Sequence, residues 1–543
     1  MFGQNILVFE PAMSASTIQA QCDAIFAKQE RAEFGNDRYA ILFKPGHYKA
    51  DVNVGFYTQV SGLGRMPGDV VIEGSVRSEG QWMNGNVTHN FWRSCENLTI
   101  VPANGTNRWA VSQAAPMRRV HVKGSLSLSD TGWASGGFLA DSLIDGGVIS
   151  GSQQQWFSRN TSWQSWRGGV WNMFFLGCGA PPSEVWPVKP FTVVGKTPVI
   201  REKPFLSINA SGEYGVFVPA IQPDTMGCSW ATGPSAGEFI PINQFHIAQA
   251  AEDTAASLNS ALSQGLNLLL TPGIYHLEDT IRVSRAGTVV LGIGMPTLRT
   301  SSTEMAMAVG DENGITIAGI IFDAGQQTSR ALIVVGQPGC TKDHSQNPIF
   351  LFDIFCRVGG ASVGSAKYSM IINSSHVIGD HFWLWRADHG TGVNWESNTG
   401  ENGLIVNGRD VTIYGLFVEH YQEDQVLWNA DGGRVYFFQS EMPYDPPNND
   451  VWKHGTFKGW PAYKVADKVC VHEAWGFGVY SAFRNDNIFS DRAIEVPGDK
   501  PNIKFHNALT FRLSSKGTGG ISNVINEVGG AACPKAIVQE YPK

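Results

Sequence analysis

Short apolar runs recur about every 20–25 residues, and Gly, Asn or Asp closes each one where a hairpin turn would otherwise stand. In the second half they read Gly314 to Phe322, Ile349 to Arg357, His376 to Trp385, Val411 to Val418 and Val435 to Gln439. In the first half they include Met117 to Val122, Gly137 to Ile144, Gln154 to Asn160 and Val170 to Phe175. Asn373, Asn407 and Asn429 stand at the turns. A chain patterned this way fits a right-handed parallel β-helix, in which each coil adds one strand to each sheet. Two β-sandwiches would need hairpin turns and a different spacing. The composition agrees: 61 Gly and only 16% charged residues suit an all-β protein with many turns.

The pattern is doubled. A helical stretch from Thr17 to Glu33, with Ile18, Cys22, Ile25 and Phe26 on one face, leads into Tyr39 to Phe43 and then Pro45-Gly46-His47-Tyr48. A second helix with Leu258 and Leu262 leads into Leu268 to Leu270 and then Pro272-Gly273-Ile274-Tyr275. A Gly-x-Gly element followed by Met-Pro comes after each, at Gly62/Gly64 and Gly292/Gly294. These glycines lack the full phosphate-binding spacing and a following helix, so they read as turns and not as a nucleotide site. The expected organisation is an N-terminal β-helix domain over 1–177, a Pro-rich connection over 178–240, and a C-terminal β-helix domain over 241–543.

Charge and composition exclude several classes of function. A net charge of −8 with no Lys/Arg-rich block argues against a nucleic-acid partner. No run of about 18 apolar residues exists, so no membrane span is expected. The eight Cys are scattered without a Cys-x-x-Cys pair, so no zinc or other metal site is expected. Met1 to Asn5 lacks the regions of a signal peptide, so the protein is either cytosolic or exported with its signal already removed.

One stretch carries chemistry. Glu419 and Glu441 each end an apolar run and stand 22 positions apart, about one coil. In a β-helix they would stack roughly 4.8 Å apart on neighbouring strands. Like charges that close cannot both ionise freely, so one pKa rises. A carboxylic acid still protonated near neutral pH is what a glycosidic leaving group needs.

With these residues the chain resembles glycoside hydrolase family 55, the tandem β-helix exo-β-1,3-glucanases or laminarinases, over nearly its whole length. The resemblance rests on Ser135-Gly136-Gly137-Phe138-Leu139-Ala140-Asp141 and Gly151-Ser152-Gln153-Gln154-Gln155-Trp156-Phe157 in the first half. Thr197-Pro198-Val199-Ile200-Arg201-Glu202-Lys203-Pro204 adds to it between the halves. In the second half it rests on Trp383-Leu384-Trp385-Arg386-Ala387-Asp388-His389-Gly390, Val418-Glu419-His420 and Gln439-Ser440-Glu441-Met442-Pro443-Tyr444. The resemblance implies two pectin-lyase-like β-helices packed side by side with a cleft between them, and inverting removal of sugar units from one end of a β-1,3-glucan. It implies no cofactor, and it implies a secreted protein acting on polysaccharide; we expect a monomer.

By the same resemblance the general acid falls on Glu441 and the second active-site glutamate on Glu419. Gln113 and one of Gln154 or Gln155 fall where the attacking water is held; three Gln in a row leave that choice open. Stacked carboxylates about 5 Å apart suit a retaining enzyme, whereas an inverting one wants roughly 6.5–9.5 Å. We therefore expect Glu419 to tune or orient Glu441; otherwise it is a nucleophile and the product keeps its configuration. Trp385, Trp428 and Tyr444 are sugar-stacking candidates, each weighed against plain packing. Asp388 is a substrate-contact candidate, weighed against pairing with Arg386. An amide ladder between coils is the competing reading of Gln154 and Gln155. The rival functions are a hydrolase or lyase on another polysaccharide and a non-catalytic glycan-binding or adhesin β-helix, since the fold alone hosts several chemistries.

Overall fold

The structure, a computed structural model, describes residues 2–514 and 518–542. The chain divides into two compact units. One comprises Met1–Glu252, Leu266–Ile274 and Val290–Pro296, the other Asp253–Gly265, Tyr275–Val289 and Thr297–Lys543.

In the first unit the helix spans Ala15–Gln29, capped by Ser14, whose hydroxyl accepts from the Thr17 amide at 3.1 Å. It stops short of Glu33 because the Gln29 side chain turns inward and donates to Phe56 O at 2.7 Å and Asp37 O at 3.0 Å. Ile18, Cys22 and Ile25 are its buried apolar face. The following strands stack as a parallel sheet, with a ladder of phenylalanines, Phe138, Phe157 and Phe174, one per coil at ring separations of 5.4 and 5.5 Å. The Pro-rich stretch forms antiparallel ribbons: Thr197–Ile200 pairs with Gln222–Thr225, and Tyr214–Pro219 pairs with Phe205–Ile208 and Gly237–Pro241. Buried ion pairs fasten it to the coils. Arg159 holds Glu202 through two contacts, at 2.7 and 2.8 Å, and Lys203 holds Glu96 at 2.7 Å.

The second unit opens on the helix Ala255–Ser263, where Thr254 and Ser257 exchange capping hydrogen bonds at 3.2 and 3.0 Å. Two parallel sheets follow. One carries Thr316–Asp323, Ile349–Val358, Val377–Arg386, Thr412–Glu419, Gly433–Glu441, His472–Ser481 and Ile503–Arg512 in chain order. The other runs in eight strands from Ile281–Val283 to Ile494–Glu495. Successive strands alternate between the sheets, as a coil requires. The first four strands named are buried along their whole length, which explains runs of apolar residues with no polar alternation. At the far end Lys535–Tyr541 pairs antiparallel with Ile503–Arg512, covering an edge that would otherwise template another strand. The turn asparagines stitch coil to coil. Asn429 donates to Asn407 Oδ1 at 2.9 Å, Asn407 to Asn373 Oδ1 at 2.8 Å, and Asn373 to Gly336 O at 2.9 Å.

Candidate active site

Glu419 and Glu441 are the last residues of neighbouring strands and partners in register. The chain leaves Glu419, crosses the other sheet as Val426–Trp428, and returns through Gly433–Glu441, so the spacing of 22 is one full coil. The same column continues downward to Trp385 and upward to Tyr480.

The two carboxylates have unlike surroundings. Glu419 is buried at 3% exposure, and both of its oxygens accept hydrogen bonds: from Trp383 Nε1 at 2.8 Å and from Gln439 Nε2 at 2.7 Å. Burial pushes its pKa up, while His420 and these two donors pull it back. Glu441 is half-buried, and the Tyr444 hydroxyl donates to its Oε2. Burial first, then the charges of Glu419 and Asp388, push Glu441 well above the usual carboxylate range. Burial raises both carboxyls, but His420 and two donors stabilise the anion of Glu419 and no such set acts on Glu441, so the proton is favoured on Glu441.

Asp388 does not pair with Arg386. Arg386 is committed to Asp445, with contacts at 3.0 and 3.1 Å, because a guanidinium fork and a carboxylate match best side by side. Asp388 instead lies 2.8 Å from His389 Nδ1, 4.0 Å from His420 Nε2 and 3.6 Å from Arg484. Burial alone would raise its pKa, but the His389 hydrogen bond and the charges of His420, His389 and Arg484 bring it far below the usual range. It is a fixed negative charge in the surroundings of Glu441.

Of the three aromatic candidates Tyr444 hydrogen-bonds a glutamate, Glu441. It sits at 4.4 Å ring separation from His420 and 5.7 Å from the Arg484 guanidinium. Trp385 is in the glutamate column, but it is 1% exposed and packed on Trp383 at 5.0 Å, which makes it a wall and not a stacking platform. Trp428 lies in the other sheet, fully buried between Tyr463 and His472, so it is core packing and no part of the site.

In the first unit the three glutamines separate by role. Gln153 donates to Val111 O at 2.8 Å and Leu128 O at 2.7 Å and so binds coil to coil. Gln155 is buried, donates to Ser135 O, and leaves its Oε1 without a partner. Gln154 is half-buried, and its side-chain amide forms no hydrogen bond among the described residues. Gln113 is 2% exposed, with its Oε1 3.1 Å from the Ser135 hydroxyl.

The residues that sequence reasoning left out are Trp383 and Gln439. Each lies two positions before a residue in the Trp385–Glu419–Glu441 column, so strand alternation puts it on the same face. That signal was available in the spacing alone.

Residues 245–441 match the LAM55 pectate lyase-like domain, and the match ends on Glu441. The chain is 47% identical over 532 residues to an exo-beta-1,3-glucanase of Streptomyces sp. (strain SirexAA-E / ActE), covering 97% of this chain and 87% of that protein. The solved structure of sacteLam55A from Streptomyces sp. SirexAA-E matches with a TM-score of 0.98 at 45% identity, covering 100% of this chain and 99% of that one. A glutamate-to-alanine variant of sacteLam55A in complex with glucose matches with a TM-score of 0.97 at 44% identity, covering 100% and 98%. With near-complete coverage at this identity, and with both glutamates brought into register, the chain belongs to glycoside hydrolase family 55.

Proposed function

We propose that this protein hydrolyses β-1,3-glucan of the laminarin type from a chain end, with inversion, and that Glu441 is the general acid. The observation that carries the reading is the unequal pair. Glu441 is the more accessible carboxyl and the one whose proton is held, while Glu419 is buried with both oxygens already accepting. A nucleophile must present an oxygen to the anomeric carbon, and Glu419, buried with a donor on each oxygen, is the worse placed of the two to do so. In this reading Glu419 is the charged neighbour that keeps Glu441 protonated until the leaving oxygen takes the proton.

Tyr444 donates to Oε2 of Glu441, which leaves Oε1 to carry the acidic proton. Of the first unit's glutamines, Gln154 has the unengaged amide, which favours it over Gln155 as a water-holding group. Such acid assistance is worth about 10²–10⁴-fold in rate. No helix among the described residues is long and apolar enough to cross a membrane. We propose secretion because the polymer lies outside the cell, and a monomer as the working form.

The test is incubation with a panel of α- and β-glucans, read by NMR for product size and first-formed anomer. Small sugars from laminarin alone, appearing first as the α anomer, are expected. The β anomer appearing first would make Glu419 a nucleophile. Binding without release of reducing sugar over hours would make the protein a glycan-binding β-helix.

A further inference from the structure

The second unit has a cavity on its other sheet, away from the glutamates. Its volume is about 580 Å³, and its floor is an outward-facing column of aliphatic side chains. Ala308, Val334, Ile371 and Ile405 stand in register on four neighbouring strands. A β-helix keeps its apolar residues inside and turns polar ones out, so four successive apolar residues on the outer face break the rule. The interior of the same strands is already filled by Met307, Ile333, Met370 and Leu404. The outer column is therefore surplus to the core.

The polar groups at the rim are mostly occupied. Asn373 and Asn407 hydrogen-bond within the asparagine ladder. Asp279 holds Arg282 at 2.9 and 3.0 Å. Lys367 lies over the Tyr368 ring at 5.3 Å and pairs with Glu401 at 3.4 Å. Arg330 is exposed, lines the cavity, and takes part in no ion pair among the described residues. A volume in this range, mostly apolar walls and one convergent charge are the features of a small-molecule site.

We propose that this cavity binds a small amphipathic monoanion, with its apolar body on Val334, Ile371 and Ile405 and its anionic head on Arg330. A second glucan site fits less well, because sugars are recognised by flat aromatic faces and the only ring here, Tyr368, is covered by Lys367. An added peptide strand fits less well, because the four strands are paired on both edges and offer no free ladder.

The experiment titrates full-length enzyme with octanoate and with octanol, by calorimetry and by displacement of 1-anilinonaphthalene-8-sulfonate. One saturable site is expected, with octanol weaker by about tenfold, the worth of a charge-assisted hydrogen bond. Arg330→Ala should remove that preference, and Val334→Trp should abolish binding of both ligands. Laminarin hydrolysis should be unchanged in each variant, which also reports that each has folded. No saturable octanoate binding to the wild type, equal affinity for octanol, or octanoate affinity unchanged in Arg330→Ala would overturn the proposal.

Discussion

Asp323 and Glu441 end strands of one sheet and belong to one column: Asp323, Arg357, Trp385, Glu419, Glu441 follow in register. Burial alone would raise both carboxyls. For Asp323, Arg357 at 2.7 and 2.8 Å and Arg299 at 2.7 Å more than offset it and bring the carboxyl down to about 2. Glu441 has no cation in that place. Its neighbour on the next strand is another glutamate, so its carboxyl stays far above the usual range. One carboxylate has been made into a fastener, the other into an acid, and the difference is the charge of the residues on the neighbouring coils.

The largest effect expected is on Glu441 itself. Glu441→Gln keeps the shape and the Tyr444 contact but has no proton to give, so kcat on laminarin should fall about 10²–10⁴-fold. Thermal unfolding should show the fold intact. A rate within a few-fold of wild type would place the acid elsewhere. The matching change at the other end of the column is Arg357→Met. It leaves Asp323 buried with only Arg299, and uncompensated buried charge costs about 3–5 kcal/mol. Denaturant titration should show that loss. An unchanged midpoint would mean that water or Arg299 alone suffices, and the contrast with Glu441 would weaken.

How much of this contrast is legible in the sequence depends on how far apart its parts lie. Glu419 and Glu441 could be paired by arithmetic, because a coil of fixed length turns spacing into register. Trp383 and Gln439 follow from strand alternation. The partners of Asp388 do not follow: Arg484 arrives from 96 positions away, and Arg386 is drawn off by Asp445, 59 positions on. Local adjacency suggested the wrong pair because a bidentate fork outcompetes a neighbour two residues off. Trp428 was misplaced for another reason. Apolar runs look alike in both sheets, and nothing in the run says which sheet it joins. The Pro-rich stretch 178–240 reads as a connection, but buried Arg159–Glu202 and Lys203–Glu96 pairs make it a packed part of the first unit.

A subtler probe of the pair is Glu419→Gln. Removing the charge beside Glu441 lets that group give up its proton at lower pH. The alkaline limb of the kcat/KM profile should therefore move toward acid, while the amide still takes one hydrogen bond from Trp383 or Gln439. A limb that stays in place would show that burial, the largest of the causes, holds Glu441 without help from Glu419.

The smallest effect is also the most symmetrical, because the two carboxyls should change stability with pH in opposite directions. Asp323 is depressed from 3.8 to about 2, so the stabilisation it gives is present above its unfolded value and is lost as pH falls through about 2. At 1.36 kcal/mol per unit that is about 2 kcal/mol, and Asp323→Asn should lack it at pH 7. Glu441 is raised above 4.5, so above that pH the unfolded chain releases a proton the folded one keeps, and the wild type loses stability as pH rises toward the folded value. Glu441→Gln removes that penalty. It should unfold later than wild type at pH 7 and together with it at pH 4, whereas Asp323→Asn should unfold earlier than wild type at pH 7. If Glu441→Gln shows the same difference from wild type at both pH values, the carboxyl is not holding its proton against solvent, and the acid role falls with it.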